Sequence, residues 1–219
     1  MALAPVAAGV LSSIWAAVGP ASPGALRQLW GDRPVVGAVA CFVAVDLAAW
    51  VYHWLGHHTR IGWASHRVHH LGESYDATLV LRQPWFQLHA LAVLPLVALL
   101  GFPFELAAAC STISLAYQAA QHTSRSWSLG WMERLVMSGR SHRAHHLVDG
   151  GAHNLGAVLS VWDRAFGTRA TRGARFPERF GVGRPEPLGA LRNQLDGWSA
   201  LLATRPSGSA DGAPTRGDG

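Results

Sequence analysis

The chain carries one histidine pattern twice, His66-Arg-Val-His69-His70 and His142-Arg-Ala-His145-His146. Each run reads HxxHH, and His53 and His57 precede the first at a spacing of four. On a helix, residues i, i+3 and i+4 share a face, so each run can aim three imidazoles at one point. Neutral imidazole is a ligand for iron, zinc and copper. One run alone would carry little weight; two, with a His pair upstream, predict a metal site. With His122 between the runs, the candidate ligands are His53, His57, His66, His69, His70, His122, His142, His145 and His146. About four to six ligands complete most metal shells, so this set predicts two ions. A structural zinc site would need only four ligands and would usually recruit cysteine, yet Cys41 and Cys110 lie apart in apolar stretches. Ligand type does not separate iron from zinc.

Three histidines are expected outside the site. His58 points about 100° away from His57 on a helix, toward water or lipid head groups. His89 stands alone in an apolar segment and reads as a hydrogen-bonded structural residue, and His153 falls in a loop. Asp46, Trp50, His53 and His57 follow at i, i+4, i+7 and i+11, along one helical stripe. A carboxylate buried in an apolar helix is costly unless paired, so Asp46 is expected to accept the free N–H of a ligating imidazole.

The elements that must position these residues are apolar. Of the 219 residues, 49% are apolar and only 14% charged, and mean hydropathy is +0.15. That balance is unusual for a soluble domain. The formal charge of +5 comes with 18 basic residues, all arginine and scattered, so a nucleic-acid stripe is not expected. Four apolar segments stand out. The first, about Ala2 to Val18, lacks a basic start and is not expected to be a cleaved signal peptide. Pro20 to Pro34 reads as a loop. Val35–Leu55 is long enough to cross a hydrocarbon core of roughly 30 Å. The third and fourth, about Trp85–Leu100 and Phe104–Ala120, are divided by Gly101-Phe-Pro103, which predicts a helical hairpin.

The predicted fold is therefore all-α: an integral membrane helical bundle of about four apolar segments, capped by histidine-rich helices on one face. The helix from Val35 delivers His53 and His57 to that face, and the hairpin leaves it and returns at His122. If the first segment also crosses, all but Arg27 and Arg33 of the 18 arginines lie with the histidines, and by the positive-inside tendency that face is expected to be cytoplasmic. Trp50, Trp54, Trp85, Trp127 and Trp131 fall near span ends, as interfacial aromatics do. Residues 1–203 form one domain in this reading, and 204–219, rich in Gly, Ser, Pro and Ala, form a disordered tail.

The order Asp46…His53-xxx-His57…His66-xx-His69-His70…His122…His142-xx-His145-His146 resembles the fatty acid hydroxylase/sterol desaturase superfamily. Leu81-Arg82-Gln83, Tyr117-Gln118 before His122, Asn154-x-Gly156 and the run Val161 to Thr168 extend the resemblance from about Asp46 to Leu188. It implies an integral membrane, non-haem di-metal oxygenase with two iron ions, zinc being able to replace them in a purified protein. O2 would be co-substrate, the nine histidines the ligands, and Asn154, with Asp46, a support behind them. A membrane lipid (a sterol, fatty acyl chain or related lipid) would be hydroxylated or desaturated, and a separate electron-transfer protein would supply electrons. The chain departs from the family pattern at Ala152-His153-Asn154-Leu155-Gly156, which lacks the usual acid and aromatic, and at His58 and Gln118. The competing class is a non-catalytic membrane haem or metal protein for electron transfer. A hydrolytic zinc enzyme is weaker still, since no HExxH motif supplies a general base.

Overall fold

The computed structural model describes residues 3–84, 90–148, 150–170, 178–183, 185–186 and 189–203. Trp85, His89, the start of the third apolar segment and the expected tail lie outside them. The described residues are mostly helical and form no strand; two isolated bridges, Val136 with Leu159 and Leu147 with Phe180, pin loops together.

Helix α1 spans Leu3–Val18, and α2, Gly24–Asp32, occupies what the prolines and glycines suggest is loop. Pro23 and Pro34 bracket α2 rather than break it, because the good helix formers Ala25 to Leu29 lie between them. Helix α3 runs Pro34–His58, with proline at its first turn where no amide bond is lost. Its 25 residues extend about 37 Å, longer than a hydrocarbon core of roughly 30 Å, and His57 lies in its last turn. Thr59 then ends α3 and caps α4, Arg60–His70, its hydroxyl accepting from Gly62 N at 3.0 Å. A Cβ on Gly62 would sit 2.0 Å from the Leu55 carbonyl oxygen, so glycine is what lets α4 fold back against α3.

Helices α5, Ala90–Leu99, and α6, Phe104–Gln121, form the expected hairpin, turning at Gly101 with φ +81°. Trp15 and Trp30 donate their indole N–H to Phe102 O and Leu100 O, at 3.0 and 2.8 Å, satisfying carbonyls that the hairpin turn exposes. Cys41, Val97, Phe102, Ala107 and Cys110 form the core beneath it, both cysteines being free. The short helices α7, Gly139–His145, and α8, Val161–Ala165, follow, and α9, Ala190–Leu202, packs against α4.

Of the four apolar segments, α3 is the one described helix long and apolar enough to cross a membrane. Helix α1 has 16 residues and α5 is described over 10. Helix α6 carries Ser111, Thr112, Ser114, Tyr117 and Gln118, which dilute its apolar character. A four-span bundle is thus not what the described helices amount to. Nevertheless Val35, Val36 and Val39 on α3, Leu96 on α5, and Ile113 and Leu115 on α6 all expose apolar side chains.

Candidate metal centre

Four elements converge. The last turn and a half of α3 brings His53 and His57, α4 brings His66, His69 and His70, and α7 with its cap brings His142, His145 and His146. His122 caps α6, its Nδ1–H donating back to Gln118 O at 2.8 Å. Ser138 caps α7 by accepting from Ser141 N, which starts the helix one turn before His142. All nine sequence-predicted histidines meet.

They meet as two groups. His53, His57, His66, His70 and His145 form one, and His69, His122, His142 and His146 the other, with the ligand atoms of each group within 4.8 Å of one another. The partition cuts across the motifs. In each HxxHH run the first and last histidines serve one group while the middle one, His69 or His145, crosses to the other. Helical angles explain this: i and i+4 diverge by about 40°, whereas i+3 lies about 60° to the opposite side of i.

The protonation pattern calls for cations. A carbonyl oxygen only accepts, so His53 Nδ1 and His145 Nδ1 must carry hydrogen for their bonds to Leu155 O and His153 O, each 2.8 Å. The same holds for His69 toward Leu79 O at 3.1 Å and for His122. In these neutral rings Nε2 bears a lone pair. Yet His53 and His145 bring Nε2 to Nε2 at 3.0 Å, and His69 and His122 do so at 3.1 Å. Lone pairs facing at that distance repel unless a cation lies between them. With metal–nitrogen bonds of about 2.1 Å, such a spacing subtends roughly 90–95° at the ion, an ordinary angle between neighbouring ligands. His57 Nε2 is likewise buried without a hydrogen-bond partner. The residues present therefore fit two metal ions.

Protonation of the rings is no alternative. Burial first, and then neighbouring imidazoles, push His66, His69, His70, His142, His145 and His146 well below the usual histidine range. The site keeps its rings neutral, the form that binds metal.

Behind the ligands, the structure redistributes the expected roles. Asp46 is fully buried, but its hydrogen bonds run to Val158 N, Leu159 N and Trp162 Nε1, at 2.9, 3.1 and 2.9 Å, rather than to an imidazole. Helix α3 rises about 1.5 Å per residue, so Asp46 sits two turns below His53 and reaches the loop instead. Asn154 adopts φ +56°, the one non-glycine residue among those described with a positive φ. Its amide spans from Ser141 O to Ala170 N, and its neighbours 153 and 155 present their carbonyls to His145 and His53. His153 thus contributes through its backbone, while His58 is exposed and bonds Trp54 O.

One residue escaped notice as a site component. Asp163, fully buried, accepts from Leu155 N, Gly156 N, Thr168 Oγ1 and Trp50 Nε1 at 2.6–3.2 Å. It holds the amides of Leu155 and Gly156 in the same loop whose Val158 and Leu159 amides Asp46 holds. Its place in the Trp162-Asp163-Arg164 run was the available signal, but an acid in the first turn of a short helix has an ordinary helical reason to be there.

The chain matches the fatty acid hydroxylase family model over residues 38–168, more than half its length, and belongs to that family. It is 31% identical to human alkylglycerol monooxygenase over 134 residues, 59% of this chain and 29% of that protein. The Xenopus tropicalis and Danio rerio proteins of the same name are 31% and 32% identical, over 58% and 59% of this chain and 29% of each. The chain thus spans under a third of the length of these curated relatives. No solved structure matches it.

Proposed function

We propose that this protein is an O2-dependent, di-iron membrane oxygenase that inserts oxygen at a lipid C–H bond, as the relatives' name monooxygenase suggests for a substrate of the alkylglycerol class. The observation that carries the reading is the pair of histidine groups whose bare Nε2 atoms face one another. Two irons bound there would supply the oxidising power that an unactivated C–H bond requires, which no side-chain acid or base provides. Around them the chain's own residues have simple tasks. The carbonyls of residues 79, 118, 153 and 155 hold four rings in one tautomer. Neutral ligands leave positive charge on the ions, and burial excludes water. A monooxygenase balance consumes two electrons and two protons per O2, with one oxygen entering the lipid and the other leaving as water, so a separate electron-transfer protein is needed.

The apolar α3, with its exposed valines, supports a membrane crossing that ends at the histidines, and the arginine distribution supports a cytoplasmic face for the site. Lipid then reaches the site laterally while electrons arrive from water. The reading is tested by purifying the protein and measuring metal, absorption and cellular lipids. Two non-haem irons per chain, and lipids that gain one oxygen only when the protein is present, are expected. A strong Soret band would assign the histidines to haem and sink the proposal; loss of two hydrogens would make the reaction a desaturation.

A further inference from the structure

The second residue of each HxxHH run is an arginine, Arg67 or Arg143. A guanidinium beside a site built for cations opposes them unless something neutralises it. Both are neutralised, and by one segment. Arg143 donates from Nε and Nη2 to Glu178 Oε2 at 2.8 and 2.6 Å. Arg67 Nε lies 3.2 Å from Asp196 Oδ2, with both side chains more than nine-tenths buried. The carboxylates come from the described residues between 178 and 203, beyond the stretch that matches the family.

The described residues of that segment are fastened at several points. Val148 N donates to Arg179 O, Arg82 pairs with Glu186, and Gln194 donates to Gln83 O. In α9, a Cβ on Gly197 would fall 2.1 Å from Ala64 O, so the helix rides directly on the backbone of α4. At the other end, Phe180 stacks on Tyr75 with centroids 5.3 Å apart, and Tyr75 stacks on His122 at 5.7 Å. The Arg143 guanidinium lies over both Tyr75 and Phe180, at 5.0 and 4.8 Å. One end of the segment thus bears on the group of His122, and the other on the helix that carries His66, His69 and His70.

We infer that this C-terminal segment is a clasp on the metal centre, in which Glu178 and Asp196 are positioning residues that fix the two HxxHH helices through Arg143 and Arg67. The inference rests on the two-metal reading above. Without its carboxylate, each guanidinium keeps its charge beside the histidine groups with less to offset it, so the metal-loaded state suffers more than the empty fold.

The test uses the full chain loaded with Co2+, whose visible absorption reports ligand geometry, and follows metal loss to a chelator. Glu178→Gln and Asp196→Asn keep side-chain size and remove charge. Each is expected to speed metal loss by about tenfold, in the range seen when support behind a ligand is removed, and to alter the Co2+ spectrum. Glu178→Asp and Asp196→Glu, which keep the charge, should retain metal within about threefold of the unsubstituted protein. Loss rates and spectra unchanged in both neutral variants overturn the clasp. If the unsubstituted protein takes up no metal, the oxygenase reading fails, and hydrogen exchange in α4 and α7 decides the clasp alone. Faster exchange in the neutral variants supports it, and equal exchange overturns it. Should a neutral variant fail to fold, the charge-keeping variant decides: retained metal supports the clasp, and lost metal overturns it.

Discussion

Asp163→Asn tests whether the loop behind the ligands, and not only the ligands, sets the metal centre. The carboxylate accepts four hydrogen bonds in a fully buried position, three of them on Oδ1 and the fourth, from Gly156 N, on Oδ2. Asparagine keeps an oxygen for the three but turns its NH2 toward Gly156 N–H, donor against donor. A buried donor left unsatisfied costs about 1–3 kcal/mol, and each remaining bond weakens by about 1 kcal/mol when its acceptor loses charge. Removing a buried charge returns part of this through relief of desolvation, leaving a net loss of about 2–4 kcal/mol. Leu155, whose amide Asp163 holds, also offers the carbonyl that orients His53. The substitution should therefore lower metal affinity as well, by about 10–100-fold. Thermal unfolding of metal-free protein measures the first effect, and chelator competition the second. A stability loss with unchanged metal affinity refutes the coupling between loop and ligand; no change in either refutes the hydrogen-bond reasoning altogether.

Removing the ring of His69 or His145, by substitution with alanine, should abolish metal retention and lipid oxidation together; full activity with both metals retained contradicts their assignment as ligands. Burial and neighbouring imidazoles depress His66, His69, His70, His142, His145 and His146 in the folded state, so below about pH 6.5 the unfolded chain binds more protons than the folded one. Their stabilisation is complete above that pH and lost as the pH falls, and the thermal midpoint of metal-free protein should drop between about pH 7 and pH 5; a flat profile counts against neutral buried rings. Asn154→Gly keeps the left-handed backbone and loses the amide's bonds, whereas Asn154→Ala loses both, so alanine should be the less stable by about 1 kcal/mol. Equal thermal midpoints would show that the positive φ carries no strain. Gly197→Ala should lift α9 off Ala64 and expose the segment after residue 178 to limited proteolysis, while an unchanged cleavage pattern would mean that α4 yields instead.

The convergence of the histidines was legible because a helix converts sequence spacing into direction: i, i+3 and i+4 are neighbours whatever surrounds them. The hairpin was legible at Gly101-Phe-Pro103 for a similarly local reason. The division of the histidines was not, since it depends on how α4 and α7 face one another across space. Asp46 was read correctly as buried and in need of partners, but its partners are two backbone amides and the Trp162 indole, all more than a hundred residues away, which no local pattern reports. Helix α2 was taken for loop because its bracketing prolines were read as breakers; at a first turn they start helices. Among the described helices only α3 meets the length and apolarity of a span, because α1 and the described part of α5 are short and serine, threonine and glutamine make α6 more polar.

Because the middle histidine of each run serves the opposite group, neither helix serves one group alone. Filling one group fixes α4 and α7 together, and so orders ligands of the other before anything binds there. In the proposed two-ion state, the first ion would bear the entropy of arranging both sites, and the second would arrive at rings already in place. Loading should therefore be close to all-or-none, with the singly filled chain scarce at every metal concentration. Such a chain would hold either no oxidising centre or a complete one.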